Sequence, residues 1–352
     1  MSRFFAERYR DLAPYVPGEQ PRDRRYIKLN TNESPYPPAP SVAQAVKRAA
    51  ESLNLYCDPT CTALRQALGE LLDLEPENLI MTNGSDEVLA YIFLAYGQRP
   101  FLFPEHTYGF YRVFCDLYGV EYSRVPLRED FSIDVEPYMD SRYNVIFANP
   151  NAPTGRDLPL SDIERLLNAS PDRLVIVDEA YVDFGGSSAL GLIRKYPNLI
   201  VVRTFSKSRS LAGGRLGFAC AQKELIADLE AIRYSQNPYN VSALTQSAGL
   251  ATLREEVYYR ACAEKIKHSR SVMTSGLEAL GFTVVPSKAN FVFARAPGLS
   301  GRALYEGLRA RGVLVRHFEK AGIEDYVRIT VGTPEETLAL LAECGKVLEE
   351  GK

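Results

Sequence analysis

Between about residues 79 and 221, short apolar runs recur along the chain, each followed by a stretch with helical periodicity. The runs "NLIMT", "PFLF", "YNVIFA", "RLVIVD", "NLIVV" and "LGFACA" are strand-sized and carry few polar positions. Between them, "SDEVLAYIFLAYG", "YGFYRVFCDLYG" and "LSDIERLLNAS" place apolar residues three and four apart, as an amphipathic helix does. Continuous apolar strands alternating with helices predict an α/β fold, a mostly parallel central sheet covered by helices on both faces. After residue 235 the texture changes. One long helix is expected from about Ser242 to Leu280, stopped by Gly281. Strands "FTVVPS", "NFVFARA", "VLVRHF" and "YVRITVG" follow, with a helix near "GRALYEGLRARG" and a last one from Pro334, which together read as a smaller α+β unit. The first forty residues are dense in proline, so they predict an irregular arm lying across the rest. The expected division is an arm at 1–38, a large domain at 39–249 and a small C-terminal domain at 250–352.

Composition narrows the function. With 352 residues, 46% hydrophobic and 24% charged, the chain can bury a large core. A net charge of -3 with no Lys/Arg-rich run argues against nucleic acid as a partner. No apolar stretch is long enough to span a membrane, and the charged start "MSRFFAERYRDLAPYV" lacks the apolar core of a signal peptide, so a cytoplasmic protein is expected. The six cysteines are scattered and the histidines number only three, which predicts reduced thiols and no metal site.

In a parallel sheet, ligands sit beyond the carboxyl ends of the strands, so polar residues directly after the apolar runs are the ones to weigh. In "TNGSDEVL", Ser85 reads as a helix N-cap, or Gly84, Ser85 and Asp86 as an anion site built on free N–H groups. The run "NPNAPTG" is either a plain turn or a loop that meets a ring edge-on. Asp178 follows a covered strand, as a helix cap or as the partner of a buried positive nitrogen. In "TFSKSRSLAGGRLGF", Lys207 is a solvated loop lysine or, if buried, an amine with a lowered pKa suited to Schiff-base chemistry. Thr204, Ser206 and Arg215 beside it suit a phosphate. Taken together, these four places supply what pyridoxal 5′-phosphate needs: an amine for its aldehyde, an acid for its ring nitrogen and donors for its phosphate.

The segments "APYVPG", "KLNTNESPYPPAP", "YCDPTCTALRQAL", "TNGSDEVL", "HTYGFY", "NPNAPTG", "VDEAYVDF", "TFSKSRSLAGGRLGF", "NFVF" and "VRITVG" span nearly the whole chain. In order and spacing they resemble the fold-type I pyridoxal-phosphate aminotransferases, and among these the histidinol-phosphate aminotransferase family. The resemblance implies that Lys207 holds the cofactor, that Asp178 pairs with its ring nitrogen and that Tyr181 bonds its O3′. It implies that Tyr108 stacks on the ring and that Gly84, Ser85, Asp86, Thr204, Ser206 and Arg215 hold the phosphate. Tyr56 would reach the site of a neighbouring subunit in a homodimer, while Arg328, Arg316, Tyr15 and Asn32 would meet the substrate. The implied reaction moves an amino group from histidinol phosphate to 2-oxoglutarate. Aromatic amino acids as donors, a threonine-phosphate decarboxylase and a noncatalytic binding protein are the rival readings. One departure stands out: Ala152 takes the place of the asparagine the family usually has before "PTG", leaving Asn151 or Asn149 to turn in, or Tyr181 alone, to bond the ring oxygen.

Overall fold

The computed structural model describes residues 2–351, so Met1 and Lys352, the extremes of the expected arm and small domain, lie outside the described residues. A sheet of seven strands runs in the order Leu79–Thr82, Gly217–Cys220, Leu199–Thr204, Val175–Asp178, Asn144–Ala148, Phe101–Pro104 and Tyr122–Val125. Only Gly217–Cys220 opposes its neighbours; the other six strands point the same way. All six expected runs form strands. The seventh, Tyr122–Val125, reads "YSRV" and lies at an edge with three of its four residues only partly covered, so it lacks an apolar signature.

Alternation within the runs explains the two covered faces. Leu79, Met81, Val145, Phe147, Val175, Val177, Leu199 and Val201 face one core, and Ile80, Ile146, Ile176, Ile200 and Val202 face the other. Registry then lines up the carboxyl ends. Ala148 sits beside Asp178, Asp178 beside Val202, and Gly217 between Thr82 and Thr204.

The C-terminal part holds a four-stranded sheet in the order Arg316–His317, Tyr326–Thr330, Phe291–Arg295 and Thr283–Val285, backed by the helices Glu256–Ala279, Gly301–Ala310 and Pro334–Glu350. Three expectations need correction here. The long helix is two, Ala243–Leu253 and Glu256–Ala279. The first packs on Pro40–Ala50 and the second on Pro334–Glu350. The run "VLVRHF" also divides: Val313–Leu314 pairs with the arm, and Arg316–His317 joins the small sheet. The arm is therefore not wholly irregular, since Ile27–Lys28 forms a short parallel pair with Val313–Leu314. Gly281 ends the second helix as expected, with φ +88°. Among the described residues, no helix is long and apolar enough to cross a membrane, and no group of acids, cysteines and histidines could hold a metal. All six cysteines are free thiols.

Candidate active site

A cavity of about 270 Å³ opens at the carboxyl edge of the large sheet. Ser85, Asp86, Tyr108, Asp178, Tyr181, Thr204, Ser206, Lys207 and Arg215 all line it. Asp178 and Thr204 end strands, Arg215 precedes the antiparallel strand Gly217–Cys220, and the rest come from segments that follow parallel strands, because all of these chain ends meet at one edge.

At one end lies the start of the helix Ser85–Tyr96. Ser85 is its first residue rather than its cap; Gly84 holds the cap position at φ +77°, and no side-chain oxygen closes the helix. The first-turn N–H groups and the positive end of the helix dipole therefore remain available to an anion. Two glycines make this possible. A methyl at Gly84 would lie 2.5 Å from the Arg215 guanidinium, and one at Gly217 would lie 2.3 Å from the Ser85 backbone nitrogen. Arg215, at φ +49°, reaches over this end and lies 3.3 Å from Asp86 Oδ2. Thr204 Oγ1 donates to Ser206 Oγ at 3.0 Å, placing two hydroxyls at the same end.

The other end is acidic and buried. Asp178 is only 3% exposed, and its two oxygens accept from the Tyr111 O–H at 2.9 Å and the Ala180 N–H at 3.2 Å. Burial pushes its carboxyl up to about 6. No lysine or arginine among the described residues pairs with it. Glu179, next along the chain and equally buried, shows the contrast: Arg203 binds it at 2.8 Å. A buried carboxylate without an internal cation fits a ligand that brings its own protonated nitrogen.

Lys207 lies between the two ends. Its Nζ donates to the Thr31 carbonyl at 3.3 Å and sits 5.7 Å from the Tyr181 ring centre. Burial lowers its pKa to about 8, with Arg328 contributing in the same direction. The Tyr181 hydroxyl accepts from Asn32 Nδ2 at 3.0 Å, which leaves its own proton free to point into the cavity. Tyr108 donates to Asp86 at 2.7 Å.

A second cavity of about 490 Å³ adjoins the first, and Tyr108 and Ala152 border both. Tyr15, Arg316 and Arg328 line it, together with Arg112, Arg124 and Lys320; Glu105 is the only acid in its wall. A chain of net charge -3 thus gathers five cations at one mouth, which selects for anionic ligands. Arg328 lies among the rings of Phe291 and Phe318, 5.4 and 5.7 Å from their centres, and donates to the Asn30 carbonyl at 3.0 Å. Its Nε is buried without a partner. Arg316 holds the arm by the carbonyls of Val16 and Pro17, at 3.0 and 3.2 Å.

Two residues assigned from the sequence, Asn151 and Asn32, lie outside the first cavity, and a third, Tyr56, is expected to. Asn151 does not line the cavity; its amide nitrogen donates to the His106 carbonyl at 2.9 Å and its oxygen accepts from Thr107 at 2.8 Å. Asn32 faces neither cavity; it bridges Tyr181 and Thr330 and so supports the site from behind. Tyr56 is 84% exposed and stacks on Tyr239, outside the cavity of its own chain. The sequence reading also missed Tyr111. It stands three residues after Tyr108, where its position on the apolar face of the helix Phe110–Tyr118 absorbed it into the core pattern.

Residues 24–344 match the family model described as aminotransferase class I and II. Histidinol-phosphate aminotransferase 1 of Bradyrhizobium diazoefficiens is 49% identical over 351 residues, covering 99% of this chain and 98% of that protein. The histidinol-phosphate aminotransferase of Chromohalobacter salexigens is 47% identical over 344 residues, covering 97% and 98%. Among solved structures, histidinol-phosphate aminotransferase from Sinorhizobium meliloti in complex with pyridoxal 5′-phosphate superposes with a TM-score of 0.85 at 26% identity, covering 93% of this chain and 92% of that one.

Proposed function

The chain belongs to the class I and II aminotransferases, and from that membership we propose that it transfers the amino group of histidinol phosphate to 2-oxoglutarate, using pyridoxal 5′-phosphate. Its architecture is that of the fold-type I enzymes. The observation that carries the reading is Asp178, a buried carboxylate with no cation of its own, in the same cavity as a lysine of lowered pKa.

The cavity fits the cofactor at every edge. The helix start at Ser85, with Arg215, Thr204 and Ser206, would hold its phosphate, Asp178 its ring nitrogen and the Tyr181 O–H its O3′. Tyr108 would cover one ring face. Bound there, the cofactor supplies an aldehyde that condenses with amines and a ring that takes up the electrons released at the substrate Cα. The protein supplies the rest. Asp178 would face the ring nitrogen and, ionised, would keep it protonated. Lys207 would hold the cofactor through its amine and, with that amine free and neutral, would serve as the base that takes the substrate Cα proton and, once protonated, as the acid that gives one back. Arg328 and Arg316 bind the anionic group of either substrate, and the arm residue Tyr15 closes the wall above them.

Tyr56, exposed beside Leu53 and Leu55, supports a homodimer in which each subunit lends this tyrosine to its partner's site. A cytoplasmic protein with two anionic small-molecule substrates completes the proposal. One observation favours a second donor class. Tyr15, Phe103 and Phe318 wall the outer cavity, and they would seat a benzene ring as well as an imidazole. A half-reaction screen separates the classes by following the cofactor's spectrum with histidinol phosphate, phenylalanine, tyrosine and threonine phosphate. Histidinol phosphate is expected to convert the enzyme fastest. A clear preference for phenylalanine or tyrosine would overturn the donor, and carbon dioxide released from threonine phosphate would overturn the reaction.

Arg328→Gln should lower kcat/KM for both substrates by about a hundredfold or more, since a charge-assisted pair inside a partly dry wall is lost. Arg328→Lys should recover only part, because a point charge cannot bind two oxygens in one plane. Steady-state kinetics with each substrate checks this; an unchanged kcat/KM for both would place the anion site elsewhere.

A further inference from the structure

Tyr111 is the only side chain that donates a hydrogen bond to Asp178 among the described residues. It is fully buried, on the first turn of the helix Phe110–Tyr118, and that same turn follows directly on Tyr108. The rings of Tyr108 and Tyr111 meet edge to face, 5.7 Å apart at 83°. One short segment thus carries the ring that lies across the cavity and the hydroxyl that grips the acid at its floor.

We propose that Tyr111 is a positioning residue for cofactor binding: its O–H, bonded to Asp178 Oδ2, fixes the carboxylate's rotamer and keeps it ionised, so that an oxygen is presented to the ring nitrogen of pyridoxal 5′-phosphate. The inference rests on the function proposed above. Its physical basis is the asymmetry of Asp178's surroundings. Two neutral donors favour the charged form, the Tyr111 O–H and the Ala180 N–H. Burial on all sides opposes it, with the charges of Asp86 and Glu179 nearby. The other titratable groups facing the pair are the phenols of Tyr108 and Tyr181, and Lys207 across the cavity. A phenol suits this post, since burial and the adjacent acid hold it protonated far above neutral pH. It therefore donates at any working pH without placing a competing positive charge beside the acid.

Tyr111→Phe deletes one oxygen and keeps the ring that packs against Tyr108, Phe93 and Phe103. The test measures pyridoxal 5′-phosphate affinity by equilibrium dialysis at pH 8, 7 and 6, beside thermal unfolding of the cofactor-free protein. Wild type should weaken only as pH falls toward about 6, where Asp178 takes up a proton. Without the phenol the carboxyl is protonated at higher pH, so the variant should bind about tenfold more weakly at pH 7, with the ratio to wild type growing as pH drops. In an Asp178→Ala background, the same substitution should change affinity less than about twofold. A ratio of one throughout, or a loss that is uniform with pH and persists without Asp178, overturns the proposal while the enzyme's function stands. Failure of the wild-type protein to bind the cofactor overturns both.

Discussion

Replacing Lys207 by alanine is expected to lower the half-reaction with histidinol phosphate by about four orders of magnitude or more, since one amine serves as both attachment point and proton carrier. Two measurements separate this from a folding defect. Borohydride reduction followed by mass analysis should find cofactor fixed at residue 207 in wild type and at no lysine in the variant. Added methylamine should return part of the lost rate, because a small amine can enter the space the side chain leaves. Normal turnover in Lys207→Ala would end the assignment. The pH dependence follows with a definite sign. Capture of the aldehyde needs the neutral amine, and with its pKa lowered to about 8, roughly a tenth of molecules hold it at pH 7, against fewer than about one in a thousand for an ordinary lysine. The capture rate by cofactor-free protein should therefore climb as pH rises through about 8 and level off above it.

The largest effect on stability is expected at Gly217, which touches nothing catalytic itself. A valine there would bring its Cβ to 2.3 Å from the Ser85 nitrogen and 2.5 Å from the Gly84 carbonyl carbon. Both are backbone atoms. Neither can swing aside, and Gly217 is paired on both flanks, with Thr82 and Thr204. The strand and the helix start must separate, at a cost of about 3 kcal/mol by comparison with overpacked cores. Separation also spreads the donors that would grip the phosphate. Gly217→Val should thus unfold at a distinctly lower temperature and bind pyridoxal 5′-phosphate about a hundredfold more weakly, read by calorimetry and dialysis. Gly213→Ala, only four residues away with nothing within 4 Å of its new methyl, is the control and should behave as wild type. Equal behaviour of the two variants would show that the close approach at Gly217 is not required.

How far the sequence reveals this site depends on the range of the interaction involved. Strand ends were readable, because a strand buried on both faces leaves a run of Val, Ile, Leu and Phe, and the polar residue just after it is conspicuous. Asp178, Thr204 and Lys207 are all of this kind. The hydrogen-bond partners were not readable. Tyr111 meets Asp178 from 67 residues away, and a tyrosine on the apolar face of a helix looks the same whether its hydroxyl is used or idle. Asn151 misled for a related reason: its amide could serve the ring or the loop, and only the path of the chain at 106–107 decides for the loop. The break after Leu253 carries no glycine or proline, so the local sequence gives no sign of it.

The pairing of Ile27–Lys28 with Val313–Leu314, the bond from the Thr330 N–H to the Leu29 carbonyl, and the grip of Arg316 on Val16 and Pro17 fasten the arm to the C-terminal part. Tyr15 then projects from there over the entrance. Its ring stacks on Phe110 at 4.3 Å, so this awning bridges the C-terminal part and the segment that carries Tyr108. A spectroscopic label near residue 15 would accordingly report a change in the spacing of two parts of the chain about two hundred positions apart, at Phe110 and Arg316.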